Sequence, residues 1–321
     1  MSTPSETFTE LVVTTHRTHK KGFKDNFTNR NALLRAMSKR GNTRHESGGL
    51  TIVESLEYDS NSTYQRYSDY DKLNIQQSNV FTAAEYPWKQ IAMHVTSSGR
   101  ELLINSGDAV IEKLVANKIK NAYRSYRNNF SADLYSAGSL ANQIGGLQHF
   151  IADVNTNTVG GINATDWSFW QNTVFDLSDN GVTMGANTIE NSVLLPLWMD
   201  LDRGGDDCPD LIVMSPTWYQ YFHQSQAALK RYAKAENVQA GIGSLQFQFA
   251  DVIWDSTASG IPDNHIYMIN TSYVKLVSHE KADFDEMAKK TPIDQHAELV
   301  MFVWMGNVTC SNRKQQGVVI A

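Results

Sequence analysis

Leu50-Thr51-Ile52-Val53-Glu54-Ser55-Leu56-Glu57-Tyr58 and Tyr86-Pro87-Trp88-Lys89-Gln90-Ile91-Ala92-Met93-His94-Val95 decide how this chain is read. The first run alternates as a strand does, with Ile52, Glu54 and Leu56 on one face and Val53, Ser55 and Glu57 on the other. The second alternates more cleanly: Ile91, Met93 and Val95 oppose Gln90 and His94. Between them lies the polar, tyrosine-rich stretch Ser60-Asn61-Ser62-Thr63-Tyr64-Gln65-Arg66-Tyr67-Ser68-Asp69-Tyr70-Asp71-Lys72. The two runs are expected to pair as a long hairpin spanning Gly48 to Gly99. A lone two-stranded hairpin is marginal in water. This arm is therefore expected to find its partner surface on another copy of the chain. Tyr64, Tyr67 and Tyr70 recur every third residue near its tip, and tyrosines on an extended polar segment suit protein–protein contacts.

Working outward, the 321 residues allow one large domain or two modest ones with a substantial core. The two cysteines, Cys208 and Cys310, match no metal or redox spacing and are expected to be buried free thiols. No run approaches the roughly 20 apolar residues that cross a bilayer, and no secretion signal opens the chain; a protein made in the cytoplasm fits, with no membrane partner. The net charge of −6 is unevenly spread. Residues 1–50 carry Arg17, Lys20, Lys21, Lys24, Arg30, Arg35, Lys39, Arg40 and Arg44 against Glu6, Glu10, Asp25 and Glu46. This basic arm on an acidic body suits contact with nucleic-acid phosphates, or equally a solvated helix surface.

Residues 1–24 lack periodicity. Asn26 or Thr28 is expected to cap a helix through Met37 that gathers Phe27, Leu33, Leu34 and Met37 and stops at Gly41. A short helix is expected over Ser97–Ile104. The longest helix is expected from Asp108 to Tyr135, with Ile111, Leu114, Val115, Ile119, Ala122, Tyr126, Phe130 and Leu134 in one stripe. At 1.5 Å per residue it is about 40 Å long, an element around which others can pack. Beyond Ile144 the pattern changes to short elements linked by glycine turns. A helix capped by Thr188 presents Val193, Leu194, Leu197, Trp198 and Leu201. Asp210–Ser215 reads as a buried strand and Pro216 as the first position of another helix. Leu245, Phe247 and Phe249 read as one half-buried strand; His265–Ile269, Tyr273–Val277 and the long Glu298–Cys310 run read as further strands. The fold class is α+β, without a βαβ rhythm.

No chemistry is nominated. Asp200-Leu201-Asp202-Arg203-Gly204-Gly205-Asp206-Asp207 superficially resembles a calcium loop, but Leu211 stands where a bidentate glutamate is required. Gly241-Ile242-Gly243 lacks the third glycine of a dinucleotide fingerprint and precedes a strand. The histidines are dispersed, with no pair at ligand spacing. No catalytic residue, metal site or cofactor is expected, and the chain is not read as an enzyme. Trp167, Phe169 and Trp170, next to Asp166, read mainly as core.

Several segments, in this order, resemble the major capsid proteins of tailed bacteriophages, which share the Hong Kong ninety-seven (HK) capsid fold. They are Gly48–Glu54, Tyr67–Leu73, Phe81–Lys89, Ile144–Leu147, Val159–Ile162, Met214-Ser215-Pro216 and Trp304–Arg313. The resemblance covers nearly the whole chain. It implies an N-terminal arm over residues 1–47 and an extended hairpin loop over 48–95. It implies a peripheral domain from 96–136 and 271–321, with the 108–135 helix as spine, and an axial domain from 137–270 with a mixed sheet. It implies a non-enzymatic shell protein of the virion that assembles into pentamers and hexamers around double-stranded DNA. Tyr64, Tyr67, Tyr70 and Trp88 would then make intersubunit contacts, and Arg17, Lys20, Lys21, Lys24 and Arg30 would face the genome. A portal protein, a separate scaffolding protein and a decoration protein are the further partners it implies. Some relatives crosslink the extended loop covalently. Lys72 lies near the right place, but no activating acid is aimed at it, and no crosslink is expected. An encapsulin-like compartment holding enzymes, or a soluble α+β enzyme, are the alternative readings.

Overall fold

The computed structural model describes residues 31–98, 108–205, 207–226, 245–290 and 297–321, with side chains described outside 108–116, 284–290 and 297–298. The first helix among the described residues, α1 (Ala32–Lys39), buries Leu33, Leu34 and Met37. Its cap is Asn31 and not Asn26 or Thr28. The Asn31 carboxamide accepts from the Leu34 N–H at 3.0 Å and donates to Ser131 Oγ at 2.7 Å, so one side chain both starts the helix and fastens it to the body. Gly41, at φ +74°, ends it as expected: Asn42 N–H bonds the Met37 carbonyl and Gly41 N–H that of Ser38.

The chain continues through β1 (Thr43–Glu46), β2 (Thr51–Glu57), β3 (Phe81–Pro87) and β4 (Lys89–Ser98). β2 and β3 form a separate antiparallel ribbon, Ile52 opposite Tyr86 and Leu56 opposite Thr82. The hairpin therefore closes on Phe81–Pro87, not on the Tyr86–Val95 run. The alternation breaks at Trp88: Ala84 and Tyr86 are the buried positions before it, Val95 and Ser97 after it. The shift from even to odd positions turns one apparent strand into two that join different sheets. β4 runs through Ser98, so Ser97 and Ser98 are strand where a helix was expected; residues 99–107 lie outside the described residues.

α2 (Asp108–Tyr135) has the expected bounds. It buries Ile119, Tyr126, Phe130 and Leu134, and also Tyr123 and Tyr135. It packs on a four-stranded sheet of order β1-β12-β13-β4, where β12 (Val274–Lys290) and β13 (Ala297–Cys310) are the long strands. Phe130 meets Trp304 edge to face at 5.1 Å, and Ile119 and Tyr123 cover Val300 and Phe302.

The second sheet has six strands in the order β7-β14-β11-β8-β10-β9. These are β7 (Thr173–Asp176), β8 (Leu211–Met214), β9 (Leu245–Phe247), β10 (Ala250–Trp254), β11 (Ile266–Ile269) and β14 (Gly317–Ile320). β8 is buried on both faces. Leu211 and Val213 meet the cluster that includes α2 and the hairpin; Ile212 and Met214 meet a second cluster. That second cluster is supplied by a π-helical turn (Ile189–Leu194), the helix Leu195–Leu201 that continues it, and the helix Pro216–Ser225. Val193, Leu194, Leu197, Trp198 and Leu201 are all buried, as their spacing predicts. Thr188 does not cap through its side chain; its hydroxyl bonds the Thr183 and Gly185 carbonyls. Phe249 does not share a face with Leu245 and Phe247: Gln248, at φ +52°, turns the chain and leaves Phe249 exposed. Neither cysteine forms a disulfide among the described residues; Cys310 is buried as expected, and Cys208 is only half-buried. β12 and β13 lie in the four-stranded sheet, whereas β14 joins the six-stranded one beside β7 and β11.

Candidate intersubunit surface

The hairpin has a docked base and an undocked tip. Ile52, Leu56, Ala84 and Tyr86 point inward and belong to the same buried cluster as α1, α2 and β13. The expectation that the whole arm lacks a surface of its own chain to fold onto is thus corrected for its base. Docking needs close approach. The turn between β5 (Thr158–Val159) and β6 (Ile162–Asn163) is Gly160-Gly161, both at positive φ, as a two-residue hairpin turn demands. A Cβ on Gly160 would lie 2.8 Å from the Ala84 Cβ, and the Gly160 carbonyl accepts from the Glu85 N–H at 3.0 Å.

Polar groups fasten the base. Tyr86 Oη donates to the Cys310 carbonyl at 2.7 Å. Burial, with the neighbouring Cys310 second, pushes this phenol far above its ordinary pKa, so it stays a neutral donor. Glu54, on the inward face predicted for it, is only 7% exposed. It pairs with Arg44 Nη2 at 3.1 Å and accepts from Thr309 Oγ1 at 3.0 Å, while Arg44 also bonds Glu46. Arg40 bridges Asp210 at 3.2 Å and Asp251 at 2.9 Å. Two of the basic residues near the N-terminus are therefore occupied within the chain. Arg17, Lys20, Lys21, Lys24 and Arg30, the expected genome-facing set, lie outside the described residues.

Beyond Tyr58, whose N–H bonds the Val80 carbonyl at 3.0 Å, the two legs have no strand pairing. Local bonds shape the tip: Ser68 N–H to Asp71 Oδ2 at 2.8 Å, Gln65 Nε2 to the Lys72 carbonyl at 3.1 Å and Asn74 N–H to Gln65 Oε1 at 3.2 Å. Its apolar side chains face solvent, with Tyr64 80%, Tyr67 69%, Tyr70 100% and Ile75 92% exposed. Clusters of this kind mark interaction sites. Trp88 stands apart from them. It is half-buried at the foot of the hairpin, donates to the Gly49 carbonyl at 3.0 Å and packs edge to face on His279.

A second aromatic group sits where the ladder ends. Tyr58, Trp167 and Phe169 meet with centroids 5.5 to 5.9 Å apart, and Trp167 is 50% exposed. With Phe81, Asn163 and Asp166 they line a cavity of about 350 Å³. Sequence reasoning counted Trp167 as core; the signal available was its place beside Asp166 in a polar turn. Among the described residues, no cluster of three or more histidine, cysteine or acidic side chains could hold a metal ion. No helix there is long and apolar enough to cross a membrane.

No family model matches the chain, and no curated protein does. Solved structures do. The capsid protein of an empty GTA particle aligns over 89% of this chain and 90% of its own, at 13% identity and TM-score 0.60. The capsid protein of cyanophage A-1(L) covers 87% of this chain and 89% of its own, at 13% identity and TM-score 0.53. The encapsulin of a holo-SrpI complex from Synechococcus elongatus covers 88% and 86%, at 9% identity and TM-score 0.51. The chain thus has the HK capsid fold, an α+β architecture shared by tailed-phage capsids and an encapsulin shell. At such identities the likeness speaks for the fold, and the sequence resemblance holds at that level.

Proposed function

We propose that this chain is the major capsid protein of a tailed bacteriophage. In this reading it is a structural, non-enzymatic subunit that assembles into hexamers and pentamers as an icosahedral shell around double-stranded DNA. One observation carries the proposal beyond the fold. The hairpin is anchored in its own subunit at the base, yet presents Tyr64, Tyr67 and Tyr70 to solvent at a tip with no strand pairing. Such a tip adds buried area only in trans. Many modest symmetric interfaces of that kind make a strong shell.

In this reading residues 1–47 form the arm, whose β1 adds to the four-stranded sheet, and 48–95 the extended loop together with the start of β4, by which the chain returns to that sheet. The 108–135 helix and the four-stranded sheet form the peripheral domain, and the six-stranded sheet with its helices forms the axial domain. β14 goes with the axial sheet that it completes. Arg17, Lys20, Lys21, Lys24 and Arg30 contact packaged DNA without reading its sequence. A portal protein, a separate scaffolding protein that acts during assembly and a decoration protein are the further partners of this reading. The test is electron microscopy of the purified chain, alone and co-expressed with its neighbouring viral genes. Closed particles support the proposal; a strict monomer under all conditions overturns it. The encapsulin likeness makes the cargo the second readout: extracted nucleic acid supports a genome shell, and a packaged enzyme supports a compartment.

A further inference from the structure

We propose that the aromatic cup at the hairpin base is the socket for Arg66 of a neighbouring copy, so that each hairpin tip docks on the next subunit's hairpin base. This rests on the shell reading and names the partner of the exposed tip. Tyr58, Trp167 and Phe169 form three walls, Trp167 edge to face with each of the other two and Tyr58 tilted by 32° against Phe169, with Phe81 a fourth, around about 350 Å³. Their ring faces are electron-rich. The one charged side chain in the lining is the Asp166 carboxylate, and no cation lines the cavity. Asp166 Oδ2 accepts from Asn163 Nδ2 at 2.9 Å, which fixes the carboxylate and leaves Oδ1 without a hydrogen-bond partner among the described residues. Rings with an aimed carboxylate are complementary to a cation, and arginine is the side chain best suited to both stacking and carboxylate pairing.

The chain carries such a cation where the proposed function needs one. Arg66 is exposed between Tyr64 and Tyr67 at the tip and pairs with no carboxylate among the described residues. The cup marks the end of the ladder, where Phe81 faces Glu57. Donor and acceptor thus sit at opposite ends of one undocked segment. A contact from the tip of one copy to the base of the next is heterologous, and heterologous contacts close into rings when the rotation per subunit allows. Lys72, the other cation of this tip, is the weaker candidate because an ammonium lacks the planar face that stacks on tryptophan.

The test uses the full chain in its assembling state. Arg66→Glu and Asp166→Arg should each raise the subunit concentration needed for particle formation by about threefold or more. The combined R66E/D166R chain should recover assembly, because the pair is restored with its charges exchanged. Arg66→Cys with Asp166→Cys should be joined between subunits of closed particles by a bis-maleimide long enough to span an arginine–carboxylate pair, read as a ladder on denaturing gels that neither single-cysteine chain gives. Recovery together with the ladder establishes the socket. Closed particles from the double cysteine chain without a ladder, or single variants that assemble at the wild-type concentration, overturn the socket and leave the shell reading intact. A wild-type chain that never assembles overturns the shell reading itself.

Discussion

Tyr86 and Cys310, 224 residues apart, are joined by a hydrogen bond from the phenol to the Cys310 main-chain carbonyl at 2.7 Å, and the Cys310 N–H donates back to the Tyr86 phenol oxygen at 3.3 Å. The pair ties the hairpin's inner strand to the end of the long strand β13. Both residues are buried, so water cannot replace the bond. Tyr86→Phe should lower stability by about 1–2 kcal/mol, since it strands a buried carbonyl. The check is a denaturant midpoint together with amide exchange. Faster exchange at Ile52 and Tyr86 than at β8 would place the loosening in the hairpin.

Alkaline conditions should destabilise the fold. Tyr86, Tyr126, Tyr135 and Tyr267 all have phenols raised above the ordinary 10.0, in each case chiefly by burial, and burial pushes the Cys310 thiol up from 9.0 to about 12. Raised folded values mean that, above the unfolded values, the unfolded chain has lost protons that the folded chain retains. Their stabilisation is complete below about pH 9 and is lost as pH climbs through the folded values. Unfolding midpoints should therefore fall from about pH 9 upward, and Tyr86→Phe should make that fall shallower.

Gly160→Val should displace the hairpin. The new Cβ would meet Ala84 at 2.8 Å, and φ +59° strains any β-branched residue. A cost of about 2–3 kcal/mol is expected. Limited proteolysis should then cut within residues 51–87 while the six-stranded sheet stays protected. Equal protection in variant and wild type would show that the turn does not hold the hairpin.

Arg313 is fully buried and pairs with no carboxylate among the described residues. Its guanidinium donates to the Phe150 carbonyl at 2.8 Å, Asn157 Oδ1 at 2.6 Å and Asn172 Oδ1 at 3.1 Å, and lies 6.0 Å from the Trp170 ring centre. Burial lowers its pKa to about 10, so it remains charged at neutral pH. Arg313→Met leaves three acceptors unpaired and should cost about 3 kcal/mol or more, measured by chemical unfolding. Arg313→Lys should recover only part of this, because one ammonium cannot reach all three acceptors in a single plane.

Elements with a long period were legible in the sequence. The spine helix shows its stripe over 28 residues, and its bounds agree with the structure. The inward face of β2 follows from alternation alone. The partner of β2 was missed because Thr82-Ala83-Ala84-Glu85 carries little strand preference. Ala84 is small because Gly160 presses on it, a tertiary requirement invisible in a one-dimensional pattern. Trp88 interrupts the pleat in a run that otherwise alternates without a break. The Arg44–Glu54 pair and the Asp166 cup likewise depend on residues brought together from distant segments. The exposure of the tip tyrosines was legible because tyrosines in a polar run have no core to enter, whereas the exposure of Trp167 was not, since one aromatic side chain suits a core and a surface equally.

The most direct measurement replaces residues 61–78 by a short Asn-Gly turn and compares the variant with the full chain by thermal melting and electron microscopy. The tip contributes exposed side chains and local hydrogen bonds but no strand pairing. The melting temperature should thus stay within about 2 °C of wild type, while closed particles disappear. A variant that unfolds, or one that still builds closed shells at the wild-type yield, would contradict the claim that the hairpin tip acts on the neighbouring subunit.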